Sequence, residues 1–280
     1  KNIELPDNMK RAMAKESEAV REKRSRLVKA SAEEEASKKF TDAAKTMEAS
    51  PNAIMLRQLQ TWQEIGAEQN SLIILDYGQP WRESGVYGVW LLSVGGFYTM
   101  DQVKASAAQF GYGYWVCTGA DRSSHLTLGV GINSYGSYGT NSPDAGVRAA
   151  AARVHGEQWA QMIVQLGDIF TGNGVASQVT VAGAKDIELN WNVYQVTRAW
   201  VDGFNAYDAG IYNYYNFGAC EGCPSRLLPG ASPAKGWSLD QIWYVSYGAA
   251  PAYPIPEIYA ISGVNARQWA WLSWDSVLDK

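Results

Sequence analysis

The reading of this chain turns on Val179-Thr180-Val181-Ala182-Gly183-Ala184-Lys185-Asp186-Ile187-Glu188-Leu189-Asn190-Trp191. Side chains along a strand alternate faces with period two. Val179, Val181, Ile187 and Leu189 then point one way, toward covering helices, while Thr180, Ala182, Ala184, Asp186, Glu188 and Asn190 point the other. Small residues followed by acids on one face suit the interior of a small barrel. Asp186 and Glu188 emerge at its C-terminal mouth, where active sites of (β/α) barrels lie. Two carboxylates about 7 Å apart on one strand face could divide into acid and base, as sugar hydrolysis requires.

Working outward, short apolar runs at 72–77, 87–93, 112–118, 126–132, 178–189, 211–217, 241–247 and 257–261 read as further strands. Helical patterns at 100–110, 145–170, 194–205 and 265–273 fall between several of them. Strand–helix alternation argues for a parallel sheet, and about eight strands argue for an α/β fold of TIM-like (β/α) barrel type. An open doubly wound sheet is the alternative. No G-x-G-x-x-G opens a helix after the first strand and no G-x-x-x-x-G-K-[S/T] occurs, so nothing cradles a phosphate.

On a barrel, Asp76 closes the first strand at the same mouth, as a third carboxylate or as a cap of the Gly78-Gln79-Pro80 turn. Trp115, Trp191, Tyr214, Asn216, Tyr244 and Trp269 are candidate ligand-binding residues, since rings stack on sugar faces and polar tips bond hydroxyls. No G-x-S-x-G occurs, and neither histidine, His125 nor His155, has an orienting carboxylate at useful spacing. Both read as surface or capping residues. Cys220 and Cys223 sit in a Gly/Pro-rich loop, bonded to each other or left as thiols. Zinc is not expected, because it needs two more ligands. No cofactor is implied.

Composition divides the chain near residue 74. Residues 1–73 carry 13 Lys/Arg and 12 Asp/Glu but two aromatics, whereas residues 74–280 hold the other 32 aromatics and all three cysteines. A net charge of −4 without a basic stripe gives no reason to expect nucleic acid. No apolar run of 18 residues is present to span a bilayer. The chain opens on Lys1 without initiator methionine or signal peptide, which reads as a processed product or an excised fragment. Between Asp7 and Ala49 there is neither Gly nor Pro, and strong helix formers dominate. The apolar seam (Met9, Met13, Val20, Leu27, Phe40, Met47) is too thin to fold alone, so this helix is expected to self-associate through residues 1–50. Ser50-Pro51 ends it, and 53–69 reads as a second amphipathic helix.

The order Pro6-Asp7-Asn8-Met9-Lys10-Arg11-Ala12-Met13-Ala14, Arg21-Glu22-Lys23-Arg24, Ser50-Pro51-Asn52-Ala53, Leu56-Arg57-Gln58-Leu59-Gln60-Thr61 and Ala67-Glu68-Gln69-Asn70-Ser71 resembles the C-terminal segment of the stomatin–prohibitin (SPFH) superfamily. That resemblance implies a coiled-coil segment assembling subunits into rings or cages on a membrane. Residues 74–280 resemble secreted bacterial proteins of unassigned activity, through Leu75-Asp76-Tyr77-Gly78-Gln79-Pro80, Tyr114-Trp115-Val116-Cys117, Asp186-Ile187-Glu188-Leu189-Asn190-Trp191 and Asn265-Ala266-Arg267-Gln268-Trp269. At fold level they are similar to lysozyme-type glycoside hydrolases. The expectation is a helical assembly segment (1–73) joined to a barrel (74–280) that handles glycans, a candidate glycoside hydrolase, and is extracellular or membrane-associated. The alternative is a non-catalytic membrane-associated scaffold or glycan-binding protein.

Overall fold

The computed structural model describes residues 23, 38–39, 71–119, 123–208 and 210–278. The assembly helix expected over the first fifty residues lies almost wholly outside them. The chain divides into two units, Lys1–Thr61 and Trp62–Lys280. The described elements belong to the second.

In chain order these are β1 (Ser71–Asp76), β2 (Gln79–Glu83), β3 (Val86–Leu91), β4 (Gly96–Thr99), α1 (Met100–Cys117), β5 (Leu126–Asn133), α2 (Ala145–Gly172), β6 (Val179–Asp186), α3 (Tyr194–Asp208), β7 (Tyr214–Asn216), α4 (Leu239–Trp243), β8 (Ala252–Pro254) and α5 (Val264–Leu278). Five strands form one parallel sheet in the order β1-β5-β6-β7-β8, and β2-β3-β4 form a separate antiparallel sheet.

The closed barrel is therefore corrected to an open mixed α/β fold. Four of the eight expected strands do not join the parallel sheet, and for three of them the physical reason is local. The run 87–93 supplies β3, whose hairpin with β2 turns at Ser84 (φ 50°) and Gly85 (φ 88°). Two central residues at positive φ match the twist of an antiparallel hairpin. The run 112–118 is the last part of α1, fixed by a capping box at its start: Gln102 N donates to Thr99 Oγ1 (3.3 Å) and Thr99 N to Gln102 Oε1 (2.9 Å). The run 241–247 is α4 and a π-turn (Tyr244–Gly248), started in the same way by Ser238 and Gln241. No strand forms over 257–261.

Each crossover from β5 through α2 to β6, and from β6 through α3 to β7, advances one strand in the same direction. Right-handed crossovers then put α2 and α3 on one face of the sheet. The two helices meet through glycines. A methyl group on Gly156 would lie 2.1 Å from the Trp200 carbonyl oxygen, and one on Gly203 would lie 2.2 Å from that of Arg153. Leu126, Leu128, Val130 and Ile132 of β5 share one face by period two and are all buried, as expected of the face that the helices cover.

His155 corrects a second expectation. It is fully buried on α2, where Nε2 meets the Gly88 carbonyl oxygen (2.9 Å) and Nδ1 accepts from Trp200 Nε1 (3.2 Å). One imidazole thereby ties α2 to α3 and to the antiparallel sheet. Burial drops its pKa to about 3, so it is held neutral.

Candidate functional site

Period-two alternation along β6 separates Lys185 from Asp186. Lys185 turns toward the helices, fully buried, with Nζ 3.2 Å from the Asn133 carbonyl oxygen, 4.3 Å from the Trp200 ring centre and 5.7 Å from that of Tyr138. Burial lowers its pKa to about 7, opposed by the charges of Asp186 and Asp76. The strand ends at Asp186 and the chain turns there, so Glu188 is presented from a loop. Ile187 and Leu189 are buried beneath it.

At this carboxyl edge Asp186, Glu188 and Glu257 bring their oxygens within 4.8 Å of one another, and Glu188 is also hydrogen-bonded to Glu221. Backbone donors organise the group. Ala219 N donates to Glu188 Oε1 (3.1 Å), Glu188 N donates to Ser134 Oγ (3.1 Å), and Asn190 donates to both Glu221 oxygens (3.0 and 2.8 Å). The Cys220–Cys223 disulfide closes the loop that carries Ala219 and Glu221, and both cysteines are buried.

Crowded carboxyls cannot all ionise. Burial, then the charges of Glu257 and Asp76, push Asp186 up to about 7. Burial, then the bond and charge of Glu221, push Glu188 up to about 8, and Glu257 is raised by burial and by Glu221. Asp186 and Glu188 stand close enough to perturb one another, so neither charges independently of the other. Asp186 Oδ1 is buried without a partner. Such an oxygen-only set is of the type that holds a hard divalent cation. Any such binding has to displace the protons that these raised carboxyls hold and strengthens as pH rises.

The other candidates are distributed as follows. Asp76 ends β1, its Oδ1 accepts from Gly78 N (2.8 Å), and it lines a separate cavity of about 460 Å³ with Tyr77, Leu91, Ser106 and Phe110. Trp191 follows the cluster in the loop, edge-on to Tyr135 at 6.1 Å. Tyr214 is buried with its hydroxyl on the Val245 carbonyl oxygen, and Asn216 is buried with Nδ2 on Ser246 Oγ (2.8 Å). Trp269 is buried under α5. Tyr244 donates to Asp202 Oδ1 (2.6 Å) on the helix side, and Trp115 sits on α1 against Tyr112 (5.7 Å). Only Asp186 and Glu188 come together. Glu257 and Glu221, absent from the sequence reading, complete the group.

Several curated proteins share a stretch of about 75 residues with this chain. A stomatin homologue of Pyrococcus abyssi is 43% identical over 75 residues, 27% of this chain and 28% of the relative. Stomatin-2 of Caenorhabditis elegans is 46% identical over 74 residues (26% and 20%), and mouse stomatin 43% over 74 residues (26% and 26%). The chain spans less than a third of the length of these curated relatives. It thus carries a stomatin-like segment, of the length of the N-terminal region that resembled that superfamily. No family model matches the chain, and no solved structure matches it. The likeness to glycoside hydrolases finds no support among these relatives. They are archaeal and animal, which gives no support to a bacterial or extracellular reading. Among the described residues no helix is long and apolar enough to cross a membrane.

Proposed function

We propose that the chain is a non-catalytic, membrane-associated scaffold in which a stomatin-like segment assembles subunits and an α/β unit is carried on the assembly. The observation that carries this reading is the stretch of about 75 residues at 43–46% identity to stomatins. The geometry of the carboxyl edge agrees with it. A two-acid hydrolase needs about 5 to 9 Å between its carboxyl groups so that a sugar or water fits there. Here oxygens of Asp186, Glu188 and Glu257 all lie within 4.8 Å of one another, closer than that spacing. Asp76 is engaged by the turn after β1.

Negative-stain microscopy of the purified full chain, beside turnover assays on cell-wall and storage glycans, tests the proposal. Multi-subunit particles with no turnover are expected. Glycan cleavage that disappears in Glu188→Gln overturns it.

A further inference from the structure

The outward face of α5 is apolar where a helix on a water-facing surface is normally polar. Trp269 and Leu272 turn inward and are buried, and Gln268 Nε2 is fixed on the Cys223 carbonyl oxygen (3.1 Å). Arg267, Ala270, Trp271 and Trp274 recur at three- and four-residue spacing and so share the opposite face. With Arg226 and Leu227 they line a groove of about 660 Å³. Trp274 and Leu227 are 63% and 68% exposed. Leu228, Ile258, Tyr259 and Ile261 add further exposed apolar surface, with Ile261 fully exposed. The loop before α5 is held in place by Arg267 Nη1 on the Ser262 carbonyl oxygen (2.9 Å) and Ala260 N on Asn265 Oδ1 (3.0 Å).

We infer that this face is a lipid-contacting surface, seated in the headgroup region of an anionic bilayer. An exposed apolar groove of this kind marks an interaction site, and its chemistry selects the occupant. Tryptophan and tyrosine combine an apolar ring with a polar edge and concentrate at membrane–water interfaces. Among the described residues the groove's lining carries two arginines and no acid, which complements lipid phosphates. Leu227, in the same groove as the rings, is an aliphatic side chain of the kind that reaches the acyl boundary on interfacial elements. The inference rests on the membrane-associated reading above and adds to it a contact surface on the α/β unit.

The test uses the full chain with vesicles of phosphatidylcholine, with and without 30% phosphatidylglycerol, and with brominated phosphatidylcholine as a quencher. Tryptophan fluorescence should be quenched, and the double variant Trp271→Phe/Trp274→Phe, which keeps the apolar face, should still bind but lose most of that quenching. Arg226→Gln should weaken partitioning to anionic vesicles about fivefold, the worth of one basic residue at such a surface. Trp274→Glu should weaken it about tenfold or more. Binding with quenching unchanged in the double Phe variant overturns the surface while leaving the scaffold reading intact. Failure to bind any vesicle overturns both. Self-association dispersed by Trp274→Glu, without lipid contact, assigns the face to a second copy and overturns the inference.

Discussion

Lys185 and Asp186 are neighbours on β6, yet Lys185 Nζ lies 4.3 Å over the Trp200 ring inside the helix layer while the Asp186 carboxyl joins Glu188 and Glu257 at the sheet edge. An amine and a carboxyl thus leave the strand on opposite faces without forming an ion pair with each other. Each is perturbed by burial, and the pH dependence of the fold follows from that.

Glu188→Gln removes the group raised to about 8. The native state holds a proton there that the unfolded chain has lost, so stability falls as pH rises from about 4.3 to about 8. The variant should match the wild type near pH 4 and be more stable at pH 9. The gain should be about 1 kcal/mol, after discounting for solvent screening of a half-exposed group. Urea denaturation at the two pH values measures it, and an equal effect at both contradicts the raised carboxyl.

Lys185→Met tests the other face with the opposite sign. With its folded pKa lowered to about 7, burial of the ammonium costs stability below that pH, and the cost is relieved as pH rises toward about 10.4. The methionine variant should be more stable by a few kcal/mol at pH 6, and its advantage should shrink by pH 10. An advantage that does not change with pH removes the titrating lysine from the account.

Gly203→Ala should destabilise. Alanine in a helix interior ordinarily gains about 1 kcal/mol over glycine. Here the added methyl would meet the Arg153 carbonyl oxygen at 2.2 Å, and overpacking costs about 1–3 kcal/mol. A raised midpoint in thermal denaturation would show that α2 and α3 are not in glycine-mediated contact.

The purified protein should contain no stoichiometric zinc. Cys220 and Cys223 are spent in a disulfide, and His155 has both ring nitrogens engaged inside the core. Elemental analysis after dialysis checks this, and one equivalent of zinc contradicts it.

Much of the fold was legible where pattern and length agree. The strand runs at 72–77, 126–132 and 178–189 and the helices at 145–170 and 194–205 have their counterparts in β1, β5, β6, α2 and α3. The barrel failed because Tyr112–Thr118 and Gln241–Tyr247 are apolar runs that periodicity cannot assign by itself. Their capping boxes, Thr99 with Gln102 and Ser238 with Gln241, lay just upstream and carried the missing signal. Asp186 and Glu188 were legible as neighbours on a strand end. Glu257 and Glu221 were not, since they reach the same point only after the chain returns through β7 and β8. The buried lysine was passed over although period two already placed it with Val179, Val181 and Ile187 on the face toward the helices, because the sequence reading followed only the apolar residues of that face.

Sedimentation velocity of the full chain over a range of concentrations, with and without mild detergent, tests the central claim most directly. The account predicts a multi-subunit species well above the 30.7 kDa monomer, dissociating on dilution. A monodisperse 30.7 kDa monomer at every concentration contradicts it.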